Sequence, residues 1–278
     1  MCSPTFAATI ERMKKFTVVA LILLCACTST KQVSTVSHSP KDIFINGKLF
    51  GSLYQQRAAE YRALCLQAFN IARQRVDESM RTGGNQPKAI ITDIDETILD
   101  NSAYDVHQYS QGKEYEPVTW TQWIAMSKAD TVPGAASFLQ YAASQGVTIF
   151  YITNREEKER PGTLLNLQKF NLPNADNAHL VVRQGTSSKE LRRQQVAASY
   201  NVILLLGDNL IDFSAVFEKK NLDDREQQTN RMVAEFGQRF IVIPNPVYGD
   251  WESAVYKYSN TLTPPQKDSV IKSMLKGY

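Results

Sequence analysis

Short, continuous apolar runs that alternate with helical patterns set the tightest limit on how this 278-residue chain can fold. The apolar runs lie at 89–92, 147–152, 179–182, 202–206 and 240–243, and helical patterns occupy 135–144, 160–170 and 189–200. A strand that is apolar along its whole length is buried on both faces, and helices between such strands cover the two sides of a parallel sheet. The expectation is an α/β fold with a doubly wound, mostly parallel sheet. Ligands of such folds sit beyond the carboxyl ends of the strands, where the polar residues of this chain collect.

Around this alternation, an amphipathic pattern predicts one long helix over 53–80, ending at Gly83-Gly84. Cys65 falls on the same face of that helix as Tyr54, Ala58, Tyr61, Ala68 and Ala72, which marks it as a buried, inert thiol. Residues 101–131 are dense in Tyr and Trp and interrupt the core pattern, so they are assigned to a small helical cap lobe. The charged stretch 218–231 reads as a solvated helix or loop. Together, 42–278 are expected to form one domain.

At the N-terminus, Met13-Lys14-Lys15 precedes an apolar run at 16–24 that is shorter than the roughly 20 residues needed to span a bilayer, the pattern of a secretory signal. The tetrapeptide Leu24-Cys25-Ala26-Cys27 resembles the lipobox of bacterial lipoproteins, which implies cleavage after residue 26 and a lipid on Cys27. Residues 1–12 read as an extension upstream of the working start, and the Ser/Thr-rich segment 27–41 as a flexible tether. Cleavage removes Arg12, Lys14 and Lys15 together with Glu11, so a formal charge of +3 becomes +1. A net charge this small and dispersed does not suggest a nucleic-acid-binding surface. Of the four cysteines only Cys65 then keeps a free thiol, so no disulfide framework is available.

Four motifs carry chemistry, each at the end of an apolar run. Asp93-Ile94-Asp95-Glu96-Thr97-Ile98-Leu99-Asp100-Asn101 follows the first. Side chains two apart on an extended backbone point the same way, so Asp93 and Asp95 should project together, and two close carboxylates call for a cation between them. Thr153 and Asn154 in Tyr151-Ile152-Thr153-Asn154-Arg155 offer a hydroxyl and backbone donors, and Lys189 opens a helix that can face an anion. Gly207-Asp208-Asn209-Leu210-Ile211-Asp212-Phe213 adds two more carboxylates. Taken singly, Thr153 or Asp212 could be helix caps and Lys189 a surface lysine. The three histidines, His38, His107 and His179, are too scattered for a zinc centre, and neither a P-loop nor a Gly-x-Ser-x-Gly elbow is present.

In this order the four motifs resemble those of the haloacid dehalogenase superfamily, and their wording is similar to that of the class C acid phosphatases, bacterial outer-membrane lipoproteins of the lipoprotein e type. The resemblance implies Asp93 as a transiently phosphorylated nucleophile and Asp95 as general acid and base. It implies Thr153 and Lys189 as holders of the phosphoryl oxygens. It also implies a Mg²⁺ bound by Asp93, the Asp95 backbone carbonyl and Asp208, with Asp212 in support.

For the leaving group the resemblance implies a ring stacked between aromatics, here chosen from Tyr104, Trp120, Trp123, Tyr248 and Trp251, with Trp123 and Tyr248 favoured. The expected substrates are phosphate monoesters, 5′-nucleotides such as nicotinamide mononucleotide and aryl phosphates, hydrolysed in the bacterial cell envelope. A homodimer is left open. The alternatives are an acid phosphatase without nucleotide preference, a phosphoprotein phosphatase with an open cleft, and a non-catalytic surface-binding protein of the same fold, which the presence of Asp93 disfavours.

Overall fold

The structure, a computed structural model, describes residues 43–278. The expected signal segment, the tether and Cys27 lie outside the described residues. Within them no helix is long and apolar enough to cross a membrane.

Five parallel strands form the central sheet: β1 (Lys88–Thr92), β4 (Thr148–Ile152), β5 (Leu180–Val181), β6 (Asn201–Gly207) and β7 (Phe240–Val242), in the order β5-β4-β1-β6-β7. Each expected run is a strand, and each of the three expected helical patterns is a helix: α5 (Ala135–Ser144), α6 (Arg160–Lys169) and α7 (Glu190–Ala197). Strand alternation divides the core in two. Ile90, Ile149, Tyr151, Leu204 and Leu206 pack with α5 and with α2 (Ala59–Arg81) on one face. Ala89, Ile91, Phe150, Ile152 and Leu205 pack with Val196 of α7 and with Phe213 on the other. The chain moves outward from β1 through β4 to β5, then returns to place β6 on the opposite side of β1. That reversal opens a crevice beyond the ends of β1 and β6, the usual seat of ligands in open α/β sheets.

The expected single helix over 53–80 is two helices. The first, α1 (Ile43–Arg57), begins ten residues earlier, and Ala58 (φ −75°, ψ 125°) is extended before α2 starts. No Gly or Pro marks the break; the two halves bury different faces. In α2, Tyr61, Cys65, Phe69, Ala72 and Val76 point into the sheet core, and burial pushes the Cys65 thiol up to about 11. Phe44 and Ile45 of α1 join Tyr109, Val247 and Tyr256 in a separate apolar cluster. The start of α1 was not legible locally because its cap is remote: Asp268 of α10 (Pro264–Met274) accepts hydrogen bonds from the Phe44 and Ile43 amides at 2.8 and 3.2 Å.

The expected cap segment leaves the sheet after β1. β2 (Leu99–Asp100) pairs antiparallel with β3 (Asp130–Thr131), and between them stand α3 (Ser102–Tyr109) and α4 (Pro117–Met126). Glu116 fixes the start of α4 by accepting from the Val118 and Thr119 amides, with Pro117 in the first turn. The charged stretch becomes α8 (Leu222–Arg231), capped by Asn221, with Arg225 buried and most of the other side chains exposed.

Candidate active site

Beyond β1 the backbone folds back on itself. The Asp93 amide still donates to the Leu206 carbonyl of β6 at 2.9 Å, after which the Ile98 and Leu99 amides both donate to the Ile94 carbonyl at 2.8 Å. Glu96 takes a left-handed conformation (φ 56°) at the tip of this turn. Its buried carboxylate accepts from the Asn101 amide at 2.8 Å, and the Asn101 side chain donates to Asp95 at 2.9 Å.

Asp93 and Asp95 line one cavity, but their charges are balanced separately. Arg155 donates to Asp95 from Nη2 at 2.7 Å and from Nε at 3.1 Å, while Lys189 Nζ lies 2.5 Å from Asp93 and 2.6 Å from Asp212. The expected cation shared by Asp93 and Asp95 is corrected by this geometry: the charged side chain facing the Asp95 carboxylate is Arg155. Carboxylate oxygens of Asp93, Asp208 and Asp212 instead lie within 4.8 Å of one another. Asp208 is held by the Asn245 side-chain amide at 2.8 Å and the Thr97 hydroxyl at 3.2 Å. Gly207 makes room for Asp212, since a Cβ there would come 2.5 Å from the Asp212 Cβ.

Burial and the neighbouring carboxylates Asp212 and Asp95 push Asp93 up to about 7 despite Lys189. Burial, Asp212 and Asp93 hold Asp208 well above the usual carboxylate range. Burial opposes the charge on Lys189, but Asp212 and Asp93 outweigh it and raise its pKa. Three oxygen-donor groups with excess negative charge suit a hard divalent cation such as Mg²⁺, so this donor set fits the expected metal.

Behind the cavity, Arg192 ties two motifs together. Its guanidinium donates to the Thr153 carbonyl at 2.6 Å, the Asn154 side chain at 2.7 Å and the Ser188 carbonyl at 3.1 Å, fixing the loop that carries Lys189. Asn154 lines the cavity, whereas Thr153 is fully buried and does not, its hydroxyl accepting from the Arg155 amide at 3.2 Å. Arg155 stood inside a recognised motif without a role. Arg192, Thr97 and Asn245 carried no signal of their own, because a buried Arg on a helix reads like any other charged position until its partners are known.

The cavity, about 690 Å³, is walled by Tyr104, Tyr115, Trp120 and Tyr248. The expectation for Trp123 needs correction: it does not line the cavity but packs on the sheet core and donates to the Asn101 side chain at 2.8 Å. Trp123 therefore supports the group that holds Asp95. Trp251 is likewise outside the lining, and Tyr248 hydrogen-bonds through its hydroxyl to Glu96.

A catalytic-type carboxylate cluster at the switch point of this sheet defines a hydrolase of the HAD superfamily. The model of the HAD superfamily, subfamily IIIB (acid phosphatase), matches residues 16–251. The class C acid phosphatase from Bacillus anthracis is similar at 36% identity and a TM-score of 0.81, over 84% of this chain and 99% of that one. Its tungstate-bound crystal structure matches at the same identity with a TM-score of 0.82, over 85% and 99%. The chain belongs to the subfamily IIIB acid phosphatases and is a phosphoric monoester hydrolase.

Proposed function

We propose that the protein is a Mg²⁺-dependent acid phosphatase that removes phosphate from 5′-nucleotides, nicotinamide mononucleotide among them, and from aryl phosphates, through a phosphorylated Asp93. The reading is carried by the convergence on one cavity of Asp93, held by Lys189, and Asp95, held by Arg155. The tungstate reported in the relative is a tetrahedral oxyanion, which supports a phosphoryl-sized site.

Asp93 attacks phosphorus, forming an aspartyl phosphate as the bond to the leaving oxygen breaks, and Asp95 gives that oxygen a proton. Asp95 then takes a proton from the water that cleaves the aspartyl phosphate, releasing inorganic phosphate. Lys189 and Asn154 bind phosphoryl oxygens, with Thr153 shaping the loop from behind. Asp93, Asp208, Asp212 and the Asp95 carbonyl would hold the Mg²⁺, which supplies charge cancellation for an anionic nucleophile meeting an anionic ester.

Aromatic walls favour a planar leaving group over a small alkyl one. Tyr248→Ala should weaken apparent affinity for a 5′-nucleotide by roughly 5- to 150-fold, the equivalent of stacking worth about 1–3 kcal/mol. The change for a small alkyl phosphate should be near unity, and the ratio of the two KM effects is the readout. Equal losses on both would reduce the reading to an acid phosphatase without nucleotide preference.

The chain is further proposed to be tethered to the outer membrane by a lipid on Cys27, where dephosphorylation would convert charged nucleotides into transportable nucleosides. Acyl chains supply the binding energy of such an anchor. Cys27→Ser is expected to move the protein from the membrane fraction to the soluble one, and unchanged fractionation would demand another tether.

A further inference from the structure

Part of the cavity wall is built from charged groups that the phosphoryl chemistry does not use. Lys48 of α1 donates to Glu252 at 2.8 Å and to the Val247 carbonyl at 3.0 Å. Lys267 of α10 pairs with Glu114. All four side chains line the cavity, and so does Asp105 of α3.

Asp105 differs from them. It is 4% exposed, and its Oδ2 is buried with no hydrogen-bond partner among the described residues. Lys48 lies within electrostatic reach, but its two hydrogen bonds go to Glu252 and Val247. With the two lysines matched by Glu252 and Glu114, Asp105 is the surplus acceptor of this wall; burial pushes its carboxyl up to about 7 against the field of Lys48, so it carries its charge above that value. Buried polar groups almost always find partners, and one left without a protein partner on a cavity wall is placed to receive one from a ligand.

We propose that Asp105 is a specificity-determining residue that accepts a hydrogen bond from a donor on the substrate's leaving group, a hydroxyl or an ammonium. The inference rests on the proposed reading of this cavity as the substrate site. It adds a preference that the phosphoryl end cannot supply: among esters of similar size, those carrying a donor away from phosphorus bind better than those without.

The test, run at about pH 8 so that Asp105 is ionised, uses three aryl esters with one phosphoryl end: 4-(hydroxymethyl)phenyl, 4-(aminomethyl)phenyl and 4-ethylphenyl phosphate. The full-length enzyme should prefer one or both donor-bearing esters over the ethyl ester by roughly ten-fold in kcat/KM, carried in KM, as expected for one hydrogen bond to a charged acceptor. Asp105→Leu should bring the ratio close to one. Asp105→Asn keeps an acceptor without the charge, so it should retain preference for the hydroxyl ester and lose it for the ammonium ester, which separates the two sources. It also serves if the leucine variant fails to fold. Absence of preference in the unmutated enzyme, any preference that survives in folded Asp105→Leu, or an ammonium preference that survives in Asp105→Asn would overturn the proposal. Failure of the cavity reading gives a different result: Asp93→Asn would then leave all three esters turning over.

Discussion

Asp93→Asn is expected to abolish turnover, by roughly a thousand-fold or more, while the protein melts no lower than the unmutated enzyme at neutral pH. A loss of that size corresponds to about 4 kcal/mol of activation free energy, and it follows if the covalent route through Asp93 is the only efficient one. The fold should survive because Asp93 is a liability to it: burial beside Asp212 and Asp95 pushes its pKa up to about 7, so an uncharged amide removes repulsion. Lys189 keeps its second partner, Asp212, at 2.6 Å. Measured turnover with a thermal melt checks both halves, and folded protein retaining more than a few per cent of activity would sink the mechanism. Asp95 provides the contrast. It donates a proton rather than forming a bond, so Asp95→Asn should still phosphorylate Asp93 from an ester with a good leaving group and then stall.

The sheet was legible because each of its strands is buried on both faces and reads as a continuous apolar run; the helices between them kept their period for the same reason. Asp93, Asp95, Lys189, Asp208 and Asp212 all end or follow such runs, so the topology brings them together at the crevice between β1 and β6. What the sequence hid depends on partners distant along the chain. The break at Ala58 follows from α1 and α2 burying different faces, and the start of α1 from Asp268, more than two hundred residues away. Trp123 looked like a platform because aromatics in a cap segment usually offer one, but its indole N–H is committed to Asn101 and its ring to the core. Arg155 and Arg192 could not be assigned from residue type alone. Their roles lie in which carbonyls and carboxylates they reach, and those come from three different loops.

Chelation should inactivate the enzyme and Mg²⁺ restore it, with Mn²⁺ or Co²⁺ as acceptable substitutes in an all-oxygen site. A second consequence, visible without any substrate, follows from the electrostatics of the cluster. In the metal-free fold Asp93 is raised from 3.8 to about 7 and Asp208 is raised as well, so between those pH values the folded protein holds protons that the unfolded chain has released. A state that binds more protons loses ground as pH rises, so chelated enzyme should become less stable from about pH 4 toward about pH 7. A divalent cation stabilises the ionised carboxylates and competes with those protons, so its stabilising effect should grow across the same window. At a hundred times its dissociation constant it contributes about 2.7 kcal/mol, equivalent to roughly 5–10 °C in Tm for a domain of this size. Melting curves with EDTA and with Mg²⁺ at pH 5 and pH 7 measure the difference directly. A Mg²⁺ shift that is absent, or larger at pH 5 than at pH 7, would show that the cation does not sit among Asp93, Asp208 and Asp212. Full activity after exhaustive chelation would remove it from the mechanism altogether.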